Sequence, residues 1–136
     1  QLITLADDSG LEVDALDGKP GTQSARFAGK DATDRDKVRA LLAKLAGVPW
    51  ERRTAHFNCV IALATPQGSL ELCHGECQGM IALEAKGENG FGYDPIFYLP
   101  EMGKTMAELP LEVKNQISHR ARASQKARQV LQRPQI

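Results

Sequence analysis

No apolar run in this sequence approaches the ~20 residues that a membrane-spanning helix needs, so the sequence carries no sign of a membrane protein. No targeting segment is visible either. An excess of one charge is also lacking: Lys plus Arg and Asp plus Glu both number 17. That balance argues against a protein that binds a polyanion by bulk charge. Aromatic residues make up only 5% of the chain. With the zero net charge, their scarcity speaks against nucleic-acid binding, which would fall to Arg120, Arg122, Lys126, Arg128 and Arg133 in the basic C-terminal stretch. Cysteine is sparse, with Cys59, Cys73 and Cys77 alone. An odd number without a secretory signal reads as reduced thiols in the cytoplasm. Cys73-His74 and Cys77 lack a full set of zinc ligands at standard spacing. Internal repeats, low-complexity segments and linkers are absent, so residues 1–136 read as one domain.

What is present reads as α/β. "LITLA" is short and apolar, a buried strand expected to end at Asp7. "LEVDAL" is a second, imperfect strand closed by the turn chemistry of "DGKPG", and "TQSARFAGKDA" has no clean period and reads as an ordered loop. Thr33-Asp34-Arg35-Asp36 resembles a capping box with Asp in place of Glu, and Val38, Leu41, Leu42 and Leu45 recur at helical spacing until Gly47 and Pro49 stop them. "HFNCVIALAT" is the strongest strand, apolar on both faces as in a central strand. "PQGS" turns the chain into "LELCHG" and "CQGMIALEA", an antiparallel hairpin or meander. Thr105 caps a short helical turn limited by Pro110. Helices are expected from about Leu111 through "EVKNQIS" and over "SQKARQVLQ". The expected fold is a mixed, twisted sheet with flanking helices.

Three segments carry side chains suited to chemistry. In "ADDSG", Asp7 and Asp8 are adjacent, so in a strand they point to opposite faces. A carboxylate at a sheet edge can bind Mg²⁺ or orient a water, and Ser9 can donate to a phosphate. Equally, the pentapeptide can be a polar turn. In "NGFGYDPIF", Gly90 and Gly92 leave Phe91 little local cover, which suits stacking on a planar base, or the ring can fold into the core. In "EVKNQISHRARA", Lys114 and Ser118 are four apart and share a helical face, while His119 and Arg120 point elsewhere if the helix continues or converge with them at a helix end. These donors suit a phosphate or the oxygen at position six of a purine, and they also suit a solvated basic face.

Taken in order, "LADDSGLEVDAL", "PGTQSARFAG", "NGFGYDPIF", "GKTMAEL" and "EVKNQISHRARA" resemble the inosine/xanthosine triphosphate pyrophosphatases. The resemblance runs from about Leu5 to Ala123. It implies hydrolysis of non-standard purine nucleoside triphosphates (inosine, deoxyinosine and xanthosine triphosphate) between the α and β phosphates, with Mg²⁺ required. By the resemblance Asp8 is the general base and also a metal ligand. Ser9 contacts substrate. Phe91, Gly92, Tyr93 and Asp94 form the base-binding loop. Lys114, Ser118, His119 and Arg120 hold the nucleotide. The implied fold is an elongated, two-lobed α/β structure with a cleft between the lobes, usually a homodimer.

Family members carry a strand and a "TGN…K" phosphate loop ahead of the ADDSG segment, and no such residues occur in this sequence. The expectation is therefore a family domain with an incomplete N-terminal lobe. A second functional expectation follows: a catalytically impaired module that binds purine nucleotides or oligomerises through uncovered apolar sheet surface.

Overall fold

The computed structural model describes residues 4–21, 24, 27–64 and 68–131, with the side chains of Thr4, Leu5, Asp7, Asp8 and Leu131 outside that description. Along the chain come β1 (Thr4–Val13), β2 (Lys19–Gly21), α1 (Asp34–Lys44), β3 (Thr54–Ala64), β4 (Leu70–Ile81), β5 (Phe97–Leu99), β6 (Lys104–Thr105), α2 (Leu111–Ile117) and α3 (His119–Leu131). The strands form one six-stranded sheet in the order β2-β1-β3-β4-β5-β6.

Every pairing among the described residues is antiparallel, which corrects the expected mixed sheet. Helix α1 lies between β2 and β3, the place of a crossover that usually joins parallel strands. β2 and β3 do run the same way. They flank β1 on opposite sides, however, and each pairs antiparallel with it.

Two strands are longer than their sequence suggests. β1 does not end at Asp7. It runs unbroken through ADDSG, with Asp7 opposite Ile61 and Asp8 opposite Val60. The continuous ladder from Thr4↔Ala64 to Val13↔Ala55 overrides the poor strand propensity of Asp, Ser and Gly. β4 is likewise one strand of 12 residues, and its hairpin partner is β3. The glycine at 75 marks a close approach and no turn. A Cβ there would lie 2.1 Å from the His119 carbonyl oxygen and 2.4 Å from the Ala123 nitrogen. Only glycine lets α3 lie this close to the sheet, and that closeness fixes where His119 and Arg120 stand. Thr65, Pro66 and Gln67 of the β3–β4 connection fall outside the described residues, as do Thr22, Gln23, Ala25 and Arg26 of the early loop.

The core follows from alternation. Ala55, Phe57, Cys59, Ile61 and Leu63 are buried along β3, while the residues between them are only half-buried, so one face is sealed and the other is more open than expected. Ala123 and Ala127 of α3 pack on Cys59, Ile61, Leu63 and Cys73. A larger cluster joins Leu11, Val13, Val38, Leu41, Leu45, Phe57, Ile81, Ile96 and Phe97. All three cysteines are buried free thiols, and burial pushes the Cys77 thiol up.

Helix α1 is built as its sequence reads. Asp36 N–H donates to Thr33 Oγ1 (3.1 Å) and Thr33 N–H donates to Asp36 Oδ2 (3.0 Å), the reciprocal pair of a capping box. These bonds hold the Asp36 carboxyl below its ordinary range. The far end of α1 is fixed by a buried cation. Arg53 donates from Nη1 to the carbonyls of Leu45 (2.9 Å) and Val48 (3.2 Å), from Nε to Ile81 (2.9 Å) and from Nη2 to Ala82 (3.1 Å). One side chain thus ties the helix end to the end of β4.

Candidate functional site

The structure brings the three sequence segments together at one end of α3. Ser9 on β1 accepts a hydrogen bond from Arg120 Nε (3.3 Å) across 111 residues of sequence. The Phe91 ring has Lys114 Nζ at 4.6 Å and the Arg120 guanidinium carbon at 5.2 Å from its centroid. Both are cation–π distances. Phe91 is 55% exposed and so offers an open aromatic surface flanked by two cations. The ring did not fold into the core.

The loop beneath Phe91 is held from several sides. Asp94 is buried, ion-paired with Lys114, and its Oδ2 accepts the Phe91 N–H (3.1 Å). Gly90 has φ +76°, and a Cβ there would meet the Asp94 carboxylate at 2.1 Å, so glycine is required twice over. Gly92 N–H donates to Asp34 Oδ2 of α1 (2.9 Å). Tyr93 does not face the open side. Its ring is 4% exposed, its hydroxyl donates to the Ser24 carbonyl (2.6 Å), and burial raises its pKa to about 12. Tyr93 and Asp94 therefore anchor the loop, while Phe91 presents the surface.

Ser118 differs from expectation. α2 stops at Ile117 and Ser118 takes extended angles, so Lys114 and Ser118 do not share a continuing helical face. The buried Ser118 hydroxyl accepts the Ala121 N–H (3.1 Å) and caps α3, which begins at His119, earlier than "SQKARQVLQ" suggests. That leaves its hydroxyl occupied by the scaffold.

His119 and Arg120 diverge. The His119 ring stacks on Phe57, with centroids 4.7 Å apart and planes 14° from parallel. Its Nδ1 is buried and meets no hydrogen-bond partner among the described residues. Burial, with the Arg120 and Lys114 charges adding, lowers its pKa to about 4. The ring is neutral near pH 7. Positive charge at this site comes from Lys114 and Arg120.

The side chains of Asp7 and Asp8 lie outside the described residues. Asp8 is placed by its backbone, one residue before Ser9 and opposite Val60. Among the described residues no group of three or more His, Cys, Asp or Glu side chains stands close enough to hold a metal ion. Sequence reasoning missed Asp34, Ser24 and Phe57 as partners of the site. Asp34 read only as a capping residue, Ser24 sat in a loop without period, and Phe57 read only as strand core.

Comparison with known proteins matches the chain to a family. The Ham1 family model covers residues 1–130. The chain is 56% identical over 131 residues to a dITP/XTP pyrophosphatase of Desulforamulus reducens, covering 96% of this chain and 65% of that protein. It is 58% identical over 119 residues to a dITP/XTP pyrophosphatase of Geobacillus kaustophilus, covering 88% of this chain and 58% of that one. The solved structure of the Staphylococcus aureus Ham1 protein superposes with a TM-score of 0.91 at 47% identity, over 95% of this chain and 66% of that one. A Ham1 protein from Coxiella burnetii gives 0.90 at 47% identity, over 96% and 67%. The chain thus spans between about three fifths and two thirds of the length of these relatives. The chain belongs to the Ham1 family.

Proposed function

We propose that the protein hydrolyses non-standard purine nucleoside triphosphates, such as deoxyinosine and xanthosine triphosphate, to the monophosphate and pyrophosphate. The observation that carries this reading is the exposed Phe91 ring between Lys114 and Arg120, in a chain 56% identical to a dITP/XTP pyrophosphatase. A purine stacked on Phe91 would lie beside cationic N–H donors. These pair with a keto oxygen at position six. The amino group of adenine leaves them unpaired, and each unpaired buried donor costs ~1–3 kcal/mol. Guanine carries the same oxygen, so these donors separate keto purines from adenine alone.

In this reading Asp8 takes the proton from the attacking water. Ser9, next to it and bonded to Arg120, contacts the substrate between base and phosphates. Asp94 holds Lys114 in place, and neutral His119 supports the start of α3 through its stack on Phe57. The family reading also includes Mg²⁺. The described residues alone do not form a protein cage for it. Mg²⁺ is characteristically held by one or two carboxylates together with substrate phosphates, a donor set that Asp8 and a triphosphate fit. When bound it would neutralise phosphate charge and make water more acidic.

The same reading takes residues 1–136 as one domain of an elongated, two-lobed fold, acting in the cytoplasm as a homodimer or other homo-oligomer. Leu70 and Leu72 on β4, each 65% exposed, are surface that such assembly would cover. Light scattering that shows only monomer contradicts the assembly. For the reaction, inosine triphosphate with Mg²⁺ should yield pyrophosphate, and Asp8→Asn should abolish its release. Orthophosphate as the first product contradicts the reading. Tight binding of inosine triphosphate without release of pyrophosphate would support a nucleotide-binding module instead.

A further inference from the structure

We propose that Asp34, the first residue of α1, is a positioning residue that fixes the Phe91 loop and so holds the aromatic surface ready for a purine. The proposal rests on the nucleotide reading above for the identity of the ligand, and on geometry alone for the clamp. The Asp34 Oδ2 accepts the Gly92 N–H at 2.9 Å, from 58 residues away in sequence. That N–H belongs to the peptide joining Phe91 to Gly92. Fixing this peptide fixes the last backbone rotation of Phe91.

Within the loop, Asp94 Oδ2 holds the peptide before Phe91, and the Asp94 N–H donates to the Phe91 carbonyl (3.2 Å), the other side of the peptide that Asp34 holds. The Tyr93 hydroxyl ties the far side to Ser24. Gly92 itself sits at φ +61°, with open space where a Cβ would be, so packing does not restrain it. A glycine without side-chain packing has wide backbone freedom, which leaves the Asp34 bond as its restraint from outside the loop.

Asp34 is well placed for this task. The α1 cap is made by Thr33 and Asp36, so the cap does not use the Asp34 carboxylate. Its other charged neighbour is Lys37, at 3.7 Å. The helix is anchored on the core: Val38 and Leu41 are buried, and Arg53 holds the Leu45 carbonyl just past its last residue. A binding surface held from a rigid element is set more accurately than one held within its own loop.

The test separates the clamp from the helix and from the ligand. In amide exchange followed by NMR, the Gly92 N–H should be protected in the wild type and in Asp34→Asn, which keeps an acceptor oxygen, and should lose protection in Asp34→Ala. In calorimetry with inosine monophosphate, Asp34→Ala should bind about three- to tenfold more weakly, the range expected for one hydrogen bond, with Asp34→Asn within about twofold of wild type. Asp36→Ala removes the carboxylate half of the capping box but leaves the clamp, so it should lower helix stability without changing nucleotide affinity. If Asp34→Ala keeps the Gly92 protection, or if Asp34→Asn weakens binding as much as Asp34→Ala, Asp34 acts only through the helix and the proposal falls. A wild-type chain that binds no purine nucleotide while Gly92 loses protection only in Asp34→Ala supports the clamp and overturns the nucleotide reading.

Discussion

Arg53 and Arg120 put the same side chain to opposite uses. Arg53 is 3% exposed and donates to the carbonyls of Leu45, Val48, Ile81 and Ala82. Burial lowers its pKa, yet those bonds keep it in place. Arg120 is exposed, reaches Ser9 at 3.3 Å and lies over an open Phe91 ring. A guanidinium has five N–H donors. In the scaffold they are used within the chain, and at the site most are left for something from outside. The difference teaches how to tell a structural cation from a binding one when both are arginine: by how far its donors are used, and by what else its surroundings could accept.

The comparison breaks most visibly at Arg53. Arg53→Met should cost about 3–5 kcal/mol of stability in urea unfolding, because several buried carbonyls lose their partners. A loss under about 1 kcal/mol would show that water replaces those bonds and that the scaffold reading of Arg53 is wrong. Nucleotide affinity of the folded fraction should stay unchanged, since Arg53 bonds to Leu45, Val48, Ile81 and Ala82, none of which belongs to the site.

A smaller effect sharpens the site side. His119 ordinarily titrates near 6.5 and is held to about 4 in the fold. Between those values the unfolded chain takes up a proton that the folded chain refuses. Stability is therefore full above pH 6.5 and falls as the pH drops toward 4. His119→Gln removes that dependence. The stability gap between wild type and His119→Gln should shift in favour of the variant between pH 7 and pH 4.5. A gap that does not move with pH means that burial and the neighbouring cations do not hold the ring neutral.

Much of this was legible in the sequence, and the exceptions share one cause. The capping box at Thr33, the short turn starting after Thr105, the α1 stripe and one of the two faces of β3 read as buried appear as read, because each depends on residues within a few positions of one another. The departures depend on distant partners. "ADDSG" carries turn residues, yet the ladder with β3 keeps it extended. Gly75 resembles a strand break, yet it makes room for α3. "SHR" reads as a row of donors, yet Ser118 caps the helix and His119 turns inward onto Phe57. Phe91, Lys114 and Arg120 were named from sequence, but their meeting on one ring, and the Asp34 bond beneath it, are properties of the fold.

The central claim is that the Phe91, Lys114 and Arg120 surface receives a purine with a keto oxygen at position six. The most direct test is calorimetric titration of the wild type and Phe91→Ala with inosine monophosphate and adenosine monophosphate. The account predicts that wild type prefers the inosine nucleotide by roughly tenfold or more, the effect of leaving at least one donor unpaired. It also predicts that Phe91→Ala weakens both by a similar factor, because stacking does not read position six. Equal affinity for the two nucleotides, or a Phe91→Ala variant that binds as wild type does, would contradict it.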